Sequence, residues 1–133
     1  MTSTIATAAT IFTPLTSEFT WAPSSTTAEG QPLPAGEVQT GSTIGIRADG
    51  DTTHSAGNYQ WLVLIVGTGM SETAAQLAAA LGKSLSVGNY WAAIDQTDTL
   101  NGQSATSAWS PEIPFSMPPT LAQPAIPIAF KVA

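Results

Sequence analysis

The chain has 133 residues, with three basic side chains (Arg47, Lys83, Lys131) against nine acidic ones and a formal net charge of −6. That length suits one domain with a real core, and three scattered cations cannot form the basic cluster that a phosphate backbone or an anionic bilayer demands, so neither nucleic acid nor membrane is expected as a partner. Without cysteine there is no disulfide framework, no thiolate nucleophile and no Cys-based zinc site; Thr, Ser, Gly, Ala and Pro fill the space that charge usually takes.

Residues 1–14 are Thr, Ser and Ala with isolated Ile5, Ile11 and Phe12. They read as an extended N-terminal arm leading into a first strand near 11–15. Residues 1–9 lack the basic and continuous apolar regions of a secretory signal, so export by that route is not expected from them. Residues 18–22 (EFTWA) alternate, with Phe19 and Trp21 on one face, and Pro23 closes the strand. Between 24 and 41, Gly30, Pro32, Pro34, Gly36 and Gly41 interrupt any ladder, which predicts a long surface loop with a short edge strand at 37–39.

Residues 43–48 (TIGIRA) alternate with Ile44 and Ile46 inward, and Asp49-Gly50-Asp51 supplies a turn. Residues 59–66 (YQWLVLIV) form the most apolar stretch, far short of the roughly 20 residues that span a bilayer. Its β-branched and aromatic content predicts the central strand of the core. Residues 71–82 (SETAAQLAAALG) predict a helix of about three turns, with Ser71 as N-cap, Glu72 at the positive end and Gly82 just past the last turn. Strand character returns at 85–95 and, broken by Pro111 and Pro114, at 109–115. The tail, 116–133, is proline-rich and ends in alternating Ile126, Ile128, Phe130 and Val132. It has the pattern of a strand in need of a partner.

Few residues here suggest chemistry. A triad could be written around His54, but a nucleophile elbow of the G-x-S-x-G type is absent. Asp49, Asp51 and His54 could chelate a hard cation, yet the loop lacks the further oxygen ligands and closing Glu of a calcium loop, and a solvated Asp-Gly turn is the simpler account. Glu18, Glu29, Glu37, Asp95, Asp98 and Glu112 are spread along the chain, and no pair among them can be placed at glycosidase separation. Trp61 falls in the apolar strand and Trp91 beside Tyr90, which favours packing over a sugar platform. Trp109, in the Ser-rich run SATSAWSP, is the candidate for an exposed ligand platform.

From 85 to 115 the chain carries Leu85, Gly88, Tyr90, then Ala92 and Ile94 alternating, then Gly102, Ser104, Ser107 and Ser110; Trp21 lies on an early strand. This pattern resembles the C-terminal half of fibronectin type III and related immunoglobulin-like domains. The resemblance implies an all-β sandwich in which Trp21, Leu85 and Tyr90 are structural, the Tyr90 hydroxyl reaching back to backbone near Leu85. The predicted helix and the two terminal extensions depart from the family pattern. Low charge and absent cysteine make the chain similar to the modules that decorate tailed-phage capsids, tails and baseplates.

The expected organisation is an N-terminal arm (1–14), an all-β sandwich of fibronectin type III or immunoglobulin-like type (15–116) with one short helix at about 71–82, and a C-terminal proline-rich extension (117–133). Trp21, Trp61, Leu85 and Tyr90 are its expected core. The expected role is a non-enzymatic virion structural protein, assembled in the host cytoplasm, with no cofactor or metal. Ile5, Ile11, Phe12, Ile126, Ile128 and Phe130 would anchor its arms on other copies or on other virion proteins. The alternative is a carbohydrate-binding or cell-surface adhesion module that uses exposed aromatics and the 49–54 loop, with a surface glycan as its ligand.

Overall fold

A computed structural model describes residues 11–15, 18–119 and 124–132. The fold is all-β with one short helix. In chain order the elements are β1 (Thr13–Pro14), β2 (Glu18–Thr20), β3 (Val38–Ala48), β4 (Trp61–Val66), β5 (Ser71–Thr73), α1 (Ala74–Leu81), β6 (Gly88–Ile94), β7 (Thr97–Leu100), β8 (Gln103–Thr106) and β9 (Ile113–Met117).

The 11-residue β3 is the spine of a seven-stranded mixed sheet. One of its edges carries β4 in unbroken antiparallel register from Gly41↔Val66 to Ile46↔Trp61. The other carries β6 along Ile44–Ala48 and β7 along its N-terminal part, with a register shift between Gln39 and Gly41. Beyond β6 lies β9, antiparallel, and beyond β9 the two-residue β1, parallel. A hairpin joins β7 to β8 through Asn101 (φ 52) and Gly102 (φ 77). Two consecutive left-handed residues make the turn whose twist matches flanking antiparallel strands, and Asn-Gly is the pair best suited to it.

Strand alternation divides this sheet into two faces. Ile44, Ile46, Val63, Tyr90, Ala92 and Phe115 are buried on one of them, together with Leu15, Phe19, Leu77 and Leu85. The covering layer is small: the antiparallel pair β2–β5 and α1. Phe19 of β2 meets Phe115 of β9 edge-on at 5.1 Å, and Phe115 stacks on Tyr90 at 5.4 Å. Trp21 and Trp61 are partly buried against the same core, while Leu85 and Tyr90 are fully within it. The Tyr90 hydroxyl donates to the Ser86 carbonyl at 2.7 Å, one residue past Leu85.

The opposite face has its own cover near the top of β3. Gly45 leaves room for the Tyr59 ring to lie directly on the strand, and Trp109 packs edge-on against Tyr59 at 4.9 Å. Arg47 makes a two-pronged ion pair with Glu112, with nitrogen–oxygen distances of 2.8 and 2.7 Å. The same guanidinium lies over the Trp91 ring, 5.7 Å from its centroid.

The structure corrects three local expectations. The apolar run at 61–66 is not central, for β3 occupies that place and β4 pairs with it on one edge. The helix starts three residues later than Ser71 because Ser71, Glu72 and Thr73 pair with β2. Thr73 and Gln76 then form a reciprocal capping box, and Gly82 (φ 74) ends the helix in the left-handed conformation, as its position predicted. Finally, Thr40 and Gly41 lie inside β3 rather than in the preceding loop, since Gly41 pairs with both β4 and β7 and the Thr40 carbonyl accepts from the Gly67 N–H.

Candidate assembly surface

Within the core face, apolar residues find apolar neighbours. The exterior of β4 differs: Leu62, Leu64 and Val66 alternate with inward Val63 and Ile65, and they are 61%, 70% and 81% exposed. Their neighbours across β3 are Gly45, Thr43 and Gly41. None of these is large enough to cover a leucine. Isolated exposed apolar residues are ordinary, but three aligned on one strand form a patch.

Both ends of the chain add to the exposed apolar surface. Ile11 is 78% exposed, and Ile126, Ile128, Phe130 and Val132 are 89–99% exposed. These four apolar side chains stand at every second position without cover among the described residues. Phe12 is placed differently, for its ring meets Trp91 edge-on at 5.4 Å. The following residues are also woven into the fold, Thr13 and Pro14 as β1 and Leu15 as a buried core residue. The end of the N-terminal segment thus belongs to the sheet. Ile5 lies outside the described residues.

The other sequence candidates are dispersed. Trp109 is half-buried against Tyr59 rather than presented flat to solvent. The Asp51 carboxylate accepts from the Thr53 backbone N–H and hydroxyl at 2.8 Å each, and His54 Nδ1 lies 2.7 Å from its second oxygen. These bonds, the Thr53 backbone donor foremost, hold the Asp51 pKa far below the ordinary carboxylate range. Its oxygens serve the turn, and among the described residues no three His, Cys, Asp or Glu side chains gather as a metal site. Glu37 and Asp98 are neighbours: burial first, then Asp98, raises the Glu37 pKa. Glu18 and Glu112 lie elsewhere, Glu18 on β2 and Glu112 paired with Arg47.

An open apolar cleft of about 330 Å³ sits between β2 and the β6–β9 region, lined in part by Phe19, Trp21, Ala92, Ile94 and Ile113. The buried Trp21 indole N–H has no acceptor among the described residues. No helix among the described residues is long and apolar enough to cross a membrane. No protein-family model, curated protein or solved structure matches the chain.

The alternating apolar pattern of the tail was visible in the sequence; the open exterior of β4 was not. An uninterrupted WLVLIV run has the composition of a strand buried on both faces. Nothing in it signals that one of those faces stays open.

Proposed function

We propose that this protein is a non-enzymatic structural component of a virion, a capsid decoration or tail or baseplate accessory, that associates through its terminal segments. In this reading the domain is a fibronectin type III or immunoglobulin-like sandwich assembled in the host cytoplasm, and its partners are further copies of itself or other virion proteins. The observation that carries the reading is the tail, whose four alternating apolar side chains are almost wholly exposed. A segment of that pattern gains by adding to a neighbour's sheet, where main-chain bonds supply affinity and alternate side chains fill apolar surface. The bond from Tyr90 to the carbonyl beside Leu85 supports the domain assignment, because it is the corner arrangement of such sandwiches.

The test is the mass of the full chain by light scattering across a range of concentrations, with electron microscopy of the assembled species. A defined oligomer that grows with concentration into regular particles or rings is expected. A monomer at every concentration would overturn self-assembly as the mode of action.

A further inference from the structure

We infer that the acceptor for the C-terminal tail is the open edge of β4 in a second copy, where residues 126–132 add as an antiparallel strand. This rests on the assembly reading above and specifies its contact. Among the described residues, β4 pairs only with β3. The edge has none of the usual protections: no charge, no proline and no bulge interrupts Trp61–Val66.

The direction of its backbone groups follows from one bond. The Gly67 N–H donates to the Thr40 carbonyl at 2.8 Å, and Gly67 continues the β4 register past Val66. In antiparallel pairing, alternate residues exchange bonds with the neighbour while those between direct N–H and C=O outward. Residues 61, 63 and 65 therefore bond to β3. Leu62, Leu64 and Val66 offer both backbone groups to the open edge, and they are the residues whose side chains stand uncovered.

The tail matches this edge in phase. Pro127 has no N–H, so it fits an added strand only where its nitrogen faces away from β4. That constraint places Pro127, Ala129 and Lys131 in the outward set, leaving Ile126, Ile128, Phe130 and Val132 to bond with β4. In antiparallel register, bonded residues lie opposite one another with side chains on the same face. Ile126 then stands beside Val66, Ile128 beside Leu64 and Phe130 beside Leu62. Parallel addition would put the same four side chains on the other face of the sheet. Docking also restores an extended backbone at Ala129, whose φ of 59 in the free tail is a conformation costly to residues bearing a Cβ.

The donor must be another copy. Met117 pairs with Gly88, two residues beyond Tyr90, which pairs with Ala48, whereas Val66 pairs with Gly41 at the other end of β3. The tail strand would start roughly 30 Å down the sheet and about 19 Å across it from the end of β9, a separation of ~35 Å. The link from Met117 to Ile126 reaches ~30 Å when fully extended. On these spacings the link falls short of its own β4, whereas the tail of a neighbour carries no such limit.

The absence of native cysteine makes the contact directly testable. Leu64→Cys and Ile128→Cys chains, mixed in full-length form under mild oxidation, should form a disulfide-linked heterodimer whose linked peptide is identified by mass spectrometry. Ala129→Cys, one residue out of phase, should link to Leu64→Cys about tenfold less. Leu64→Lys, at a solvent-facing position, should keep the fold by circular dichroism and weaken self-association by about tenfold or more, because the charge would be buried beside Ile128 without a partner. Equal linking at 128 and 129, or an oligomer that Leu64→Lys leaves intact, overturns the edge docking while the assembly reading stands. A full chain that is monomeric at every concentration refutes self-association and the edge docking with it.

Discussion

Substitution of Gly45 by alanine isolates the way the outer face of the sheet is closed. Gly45 lies within β3 opposite Leu62 and Ala93, outside the set of left-handed glycines, so the backbone accepts alanine without strain. By propensity alone the change should stabilise the strand by about 0.5–1 kcal/mol. The new Cβ, however, would stand 2.3 Å from Cδ2, 2.6 Å from Cγ and 2.9 Å from Cε2 of Tyr59. Relaxed carbon contacts need about 3.5–4.0 Å, so the ring has to retreat by more than about 1 Å. Trp109, 4.9 Å from it between centroids, obstructs that movement. Overpacking of this kind costs about 1–3 kcal/mol, and expulsion of the ring would approach the ~3–5 kcal/mol of an aromatic truncation. The expected net loss is about 1–2 kcal/mol, read as a lower urea midpoint with unchanged slope by tryptophan fluorescence. In a Tyr59→Ala background the same Gly45→Ala change should cost nothing. An unchanged or raised midpoint for Gly45→Ala, or the same loss in both backgrounds, would refute the reasoning.

Two other outcomes follow from buried polar groups. Burial raises the pKa of Glu72 on β5, so the folded state favours its neutral form and stability falls as pH climbs from the ordinary carboxylate range through that raised value. Glu72→Gln should therefore raise the urea midpoint at pH 7 and leave it unchanged at acidic pH, where the wild-type carboxyl is already protonated; a gain that persists in acid would contradict the assignment. Tyr90→Phe removes the donor to Ser86 and leaves that carbonyl without its bond. A loss of about 1 kcal/mol in urea unfolding is expected, and no loss would mean that the corner bond contributes nothing net to the fold.

Much of the strand content was legible because the burial is one-sided. Phe19, Ile44 and Ile46 alternate with smaller or polar residues, and each is buried in the core. The helix was legible from Ala and Leu content and from Gly82, but its start was not. Ser71 and Glu72 are competent cap residues in isolation, and the pairing of Glu18–Thr20 with Ser71–Thr73 claimed them for a strand. The β7–β8 hairpin had a local signal in Asn101-Gly102 between Thr-rich and Ser-rich runs, since that dipeptide carries its own turn geometry.

The exposed apolar surface was legible only in half. Ile126, Ile128 and Phe130 declared themselves by alternating apolar character in a segment with no other partner. Leu62, Leu64 and Val66 did not, because apolar composition reads the same whether a strand lies inside a sheet or along its border. Composition, period-two alternation and local turn and cap chemistry determined the all-β class, the inward positions of the central strands and the alternating apolar pattern of the tail, since these depend on a residue and its near neighbours. The tertiary structure decided that β4 stands at an edge, that Tyr59 closes over Gly45 and that Arg47 meets Glu112, because each joins segments far apart in sequence.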